Sequence, residues 1–173
     1  MTDPEPVRAR LALLAEYLGD LEAVQDASLE QFVADKKLRR YVERTLQLAV
    51  ECCLDIGHHI ISDRGLREPE DNRDVFRVLG EAGYIPEDLR PDLERMAAFR
   101  NLLVHEYTRV DPVVVHGVLR RRLADLRRFA SLMASVAAAN GGDQGDRPGQ
   151  QRRSPRRRSP GDQRRARQRR SPL

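Results

Sequence analysis

Arg100-Asn101-Leu102-Leu103-Val104-His105-Glu106-Tyr107 sets hydrogen-bonding side chains into a largely apolar helical stretch that begins at Met96. A helix needs none of Arg100, Asn101, His105 or Tyr107 to pack, and burying such groups costs free energy unless they find partners. Arg100 and His105 stand five apart, roughly 140° around an ideal helix and about 7.5 Å along it. Asn101 lies four residues before His105 and shares its face. Arg100, Val104 and Tyr107 share the neighbouring face, and arginine's long stem can lean toward the imidazole, so the four polar groups can converge on one groove. Histidine titrates near neutral pH and can take a proton from an RNA 2′-hydroxyl or give one to a leaving oxygen. A guanidinium can hold a phosphate through two N–H groups and stabilise the charge that develops on it. Asparagine can orient the imidazole or the phosphate. The set suits phosphodiester cleavage without a metal. One helix supplies few groups, so a symmetric dimer that joins two copies would make a fuller site.

Other candidates are weaker. Asp55-x-x-His58, with Glu51 and His59, has helical spacing that could begin a metal site. Such a site needs matching ligands on other helices, and the key helix offers only Glu94 and Glu106, at unsuitable spacing. A polar helix face is the simpler reading, and no metal or cofactor is expected. Cys52 and Cys53 are adjacent on a helix; they cannot staple a fold and read as small core residues. His116, early in the last helix, reads as structural or exposed.

The elements that must position the key helix are all helical. Leu11, Leu14, Leu18 and Leu21 give a first helix over residues 4–25. Ser28-Leu29-Glu30-Gln31 is a capping box and opens a long second helix to about Ser62, with Phe32, Leu38, Val42, Leu46, Ala49, Cys53, Ile56 and Ile60 inward. Asp63-Arg64-Gly65 ends it. A third helix runs from about Asp71 to Ala82 with Val75, Phe76 and Leu79 inward. The key helix starts near Pro86 or Pro91 and continues through Tyr107. Asp111-Pro112 opens a last helix to about Ala139, with Val115, Val118, Leu119, Leu123, Leu126 and Phe129 inward. No alternating strand pattern occurs. The fold class is all-α, an up-down bundle of four to five helices over residues 1–140.

Residues 141–173 differ in kind. They hold 11 arginines against three aspartates, a net +8, with Arg-Ser-Pro at 153–155, 158–160 and 170–172. They lack apolar periodicity and are expected to be disordered. The chain's net +4 therefore hides a body of net −4, and overall charge gives that body no reason to bind nucleic acid. No apolar run nears the 18 residues of a membrane span. Met1–Pro6 shows no secretory pattern, so a cytoplasmic protein is expected.

The eight residues from Arg100 to Tyr107 resemble the R-x4-H-x-Y motif of HepT-type toxins in the HEPN superfamily of helical ribonucleases. Asn101 matches the polar residue that follows the arginine there. The long second helix with Asp35, Arg40, Glu51 and Asp55, the Phe76-x2-Leu79 helix and the Gly83-Tyr84-Ile85 turn are also similar, so the likeness covers about residues 5–135. It implies a metal-independent endoribonuclease acting on tRNA or mRNA, a homodimer with the active groove at its interface, and neutralisation by an MntA-like nucleotidyltransferase antitoxin. Arg100 and His105 would be the catalytic pair, Asn101 a supporting residue, and Tyr107 the tyrosine that the antitoxin AMPylates. The alternative from another class is a non-catalytic HEPN module, in which the same side chains only hold a nucleotide or a partner protein.

Overall fold

A computed structural model describes residues 5–105 and 110–141, and every regular element among them is helical. In order these are α1 (Glu5–Ala23), α2 (Leu29–Ala34), α3 (Lys36–Asp63), α4 (Asn72–Glu81), α5 (Arg90–His105), α6 (Pro112–Arg121) and α7 (Leu123–Gly141). The bundle expected from apolar spacing is present, with two of its rods interrupted.

The expected second helix breaks at Asp35. This residue leaves helical geometry at φ −93°, ψ 98°, ends α2 and begins α3. Its Oδ1 accepts from the backbone N–H groups of Lys37 and Leu38 at 2.8 and 3.1 Å. An N-cap carboxylate satisfies donors that a continuous helix would have bonded internally. The last helix is interrupted more gently at Arg122, whose N–H still reaches the Val118 carbonyl at 2.9 Å. The key helix starts at Arg90, with Pro86 held in the preceding turn.

α3 is the central rod, and α1, α4, α5 and α7 pack around it. Leu14, Leu18 and Leu21 of α1 meet Val42, Leu46, Ala49, Cys53 and Ile56 of α3 in one continuous core. Phe76 and Phe129 cross edge to face at 5.7 Å within it. Both cysteines are free and buried, and burial pushes the Cys53 thiol well up. No described helix is long and apolar enough to cross a membrane.

Where α3 meets α4, a side chain is excluded. A Cβ on Gly57 would stand 2.5 Å from Val75 Cγ1 and 3.3 Å from Leu79 Cδ1. Val75 and Leu79 are fully buried, and Val75 is β-branched, so neither can swing aside. Gly57→Ala is expected to cost about 1–3 kcal/mol by overpacking, read as a lower denaturant midpoint at unchanged m-value.

The N-terminus of α4 is pinned through Asp74. Its carboxylate takes two hydrogen bonds from the Arg67 guanidinium, at 2.6 and 2.9 Å, and one from the Glu70 N–H at 3.0 Å. Arg67 also reaches Glu81 at 2.8 Å. These donors, the Arg67 guanidinium foremost, hold the Asp74 carboxyl down at about 2, against an ordinary 3.8. A depressed carboxylate stabilises the fold above its unfolded pKa, and that contribution disappears as pH falls from about 4 through about 2. Asp74→Asn should therefore lower stability at pH 6 by about 2 kcal/mol. Its deficit relative to wild type should shrink in urea melts taken toward pH 2.

Candidate active site

Three helices converge on Arg100. α5 turns Leu93, Met96, Ala97, Phe99 and Leu103 into the core, which leaves Arg100 and Asn101 at the border between core and solvent. Arg100 leans onto α3 and donates from Nη2 to Glu51 Oε1 at 2.5 Å. Its side chain is only 18% exposed and that of Glu51 is 37% exposed. Nη1 donates to Asn101 Oδ1 at 3.3 Å, and the same oxygen accepts from Asn72 Nδ2 at 3.2 Å. Asn72 is the first residue of α4, held there by the Asp71 cap and the Asp74 network. Arg100 is thus clamped from two sides before any ligand arrives. Its Nε is buried without a hydrogen bond, but so is that of Arg90, and this state does not distinguish the site.

His105 is the last described residue of α5 and is exposed. Among the described residues its ring has no hydrogen-bond partner. The structure joins Arg100 to Asn101, and His105 follows five residues on, about 7.5 Å along an ideal helix axis. Tyr107 lies outside the described residues.

Two members of the cluster, Glu51 and Asn72, have no local signal for their role. Glu51 is 49 residues from Arg100 and Asn72 is 29 from Asn101. The metal-like group on α3 separates into other duties: Glu51 faces Arg100, Asp55 pairs with Arg10 at 3.2 Å, and His58 is exposed. Among the described residues no three metal-ligating side chains gather. His116 is structural. Its Nε2 meets the Ala27 carbonyl at 2.8 Å and its ring lies 5.5 Å from that of Phe32.

Residues 14–133 match the family model described as ribonuclease HepT-like. The chain belongs to that family. Among curated relatives, it is 32% identical over 114 residues to the tRNA nuclease HepT of Aphanizomenon flos-aquae, covering 65% of this chain and 78% of that protein. It is also 32% identical over 103 residues to the mRNA nuclease HepT of Shewanella oneidensis, covering 60% and 77%. Among solved structures, the tri-AMPylated Shewanella oneidensis HEPN toxin in complex with the MNT antitoxin superposes with a TM-score of 0.70 at 29% identity, over 78% of this chain and 99% of that one. The matched region of this HepT-like chain contains all seven helices at least in part, together with Arg100, Asn101 and His105.

Proposed function

We propose that this chain is the toxin of a toxin–antitoxin pair, a metal-independent endoribonuclease that cuts tRNA or mRNA in the cytoplasm. The observation that carries the reading is the clamped Arg100 with His105 at the end of the same helix, in a HepT-like fold. In this reading the imidazole removes the 2′-hydroxyl proton, or protonates the leaving 5′-oxygen, while O2′ attacks the neighbouring phosphorus. Arg100 faces the phosphate and offsets the charge that builds on its oxygens. Asn101 holds the guanidinium's orientation. A homodimer supplies a second copy of each group, so that one imidazole accepts a proton and the other donates one. The cleavage needs no metal in this scheme, because proton transfer and charge neutralisation are both met by side chains.

The partner is an MntA-like nucleotidyltransferase that AMPylates Tyr107. An adenylyl group near the histidine adds bulk and negative charge, which block the groove and repel a phosphate backbone. The relatives support this part of the reading, since the Shewanella toxin was solved both AMPylated and bound to its antitoxin. Induced expression of the chain alone should arrest growth. Co-expression with the partner should restore growth and add AMP to the intact mass at Tyr107. Growth arrest that persists in both Arg100→Ala and His105→Ala would contradict the reading.

A further inference from the structure

A groove of about 540 Å³ lies between the first turns of α3 and the end of α5. Lys36, Arg39, Arg40 and Arg44 line it against one carboxylate, Glu43, with Leu103 of α5 and Val110 on the opposite wall. Arg39 is occupied, since its guanidinium donates to the Val33 carbonyl. Lys36, Arg40 and Arg44 are exposed, and none makes an ion pair among the described residues. They recur every four residues, about 6 Å apart along the helix. Continued along α3, the same stripe passes Gln47 and reaches Glu51, the partner of Arg100. Residues 36, 40, 44, 47 and 51 span an arc of roughly 80° on an ideal helix. The three cations therefore span about 12 Å of α3, and the same face continues through the neutral Gln47 to Glu51, about 10 Å further on, which holds the clamped arginine.

We propose that this groove holds the phosphate backbone of single-stranded RNA on one side of the scissile bond, with Lys36, Arg40 and Arg44 as successive phosphate contacts. The proposal rests on the ribonuclease reading above. A concave, basic track whose far end at Gln47 lies about one helical turn from Glu51, the partner of Arg100, fits a flexible polyanion. Among the described residues no aromatic side chain lines the groove, and a row of phosphate contacts strengthens binding without reading sequence. The body's net negative charge does not oppose this, because local charge rather than the whole-chain sum sets the potential in a groove.

The test uses the full-length protein. In a His105→Ala background, which prevents turnover, the affinity for a fluorescein-labelled single-stranded RNA is measured by anisotropy across a salt series. Adding Lys36→Gln, Arg40→Gln and Arg44→Gln should reduce the slope of log K against log salt by about 2, the share of three phosphate contacts on a single strand. On the active background the triple variant should raise KM at least tenfold with kcat at saturating RNA kept within about threefold. Arg40→Lys and Arg44→Lys together with native Lys36 should retain the wild-type slope. All variants replace exposed side chains, and equal thermal midpoints confirm that they fold. Unchanged slope and KM in a protein that cleaves RNA overturn the groove assignment alone. A wild type that neither binds nor cleaves RNA overturns the ribonuclease reading, and the groove assignment with it. Retained RNA binding with loss of the antitoxin complex assigns the groove to the protein partner instead.

Discussion

With His105 replaced by alanine, RNA cleavage is expected to fall by roughly 100- to 10,000-fold, the range that a positioned general acid or base contributes. RNA affinity stays within about threefold, because the proposed phosphate contacts lie on α3 and at Arg100. Stability is expected to stay unchanged, since His105 is exposed and has no hydrogen-bond partner among the described residues. The three readouts separate chemistry from folding. A variant that cleaves at the wild-type rate would remove the imidazole from the reaction. Single-turnover rates at saturating RNA, anisotropy and a thermal melt check the set.

Arg100→Ala is expected to lower the single-turnover rate by roughly 100- to 1,000-fold, the loss that follows removal of one preorganised donor to a developing oxyanion. The effect on stability is small. Glu51, left behind, is more than a third exposed on its side chain and can take water in place of the guanidinium; a partly exposed ion pair of this kind contributes about 1 kcal/mol or less. Arg100→Lys does not restore the rate, because a lysine cannot face Glu51 and Asn101 at once while presenting a planar fork to phosphate. A lysine variant that matched wild type would reduce the role of Arg100 to charge alone. The rate at saturating substrate decides between these outcomes, with the melt as the folding control.

Much of this molecule is written in local spacing. The stripes Leu14-Leu18-Leu21, Val42-Leu46-Ala49-Cys53 and Val75-Phe76-Leu79 are buried as periodicity requires, and the capping box at Ser28 forms with both of its hydrogen bonds. The break at Asp35 was harder to see. Apolar spacing continues from Phe32 to Leu38, and only the side-chain cap reveals that the backbone leaves the helix between them. The grouping of Arg100 with Asn101 could be read because they are neighbours on one helix. Glu51 and Asn72 could not, since packing of α3 and α4 on α5 sets those contacts and no repeat along the chain encodes it. Glu51 even suggested a different chemistry, through its spacing to Asp55 and His58. The run Lys36-Lys37-Leu38-Arg39-Arg40 is basic, but no local pattern marks it as a groove; the wall supplied by Leu103 and Val110 makes it one. Tyr107 and the basic segment from residue 142 onward lie outside the described residues, and their roles rest on sequence.

Arg100 and His105 are proposed to cut RNA without a metal. The most direct test is incubation of total tRNA with purified full-length protein in EDTA, with His105→Ala alongside and the intact mass of both proteins measured first. Cleavage that persists in EDTA and disappears in the variant is the predicted result. Absence of cleavage by a wild-type protein whose mass shows no adenylyl group, or equal cleavage by the variant, would contradict it.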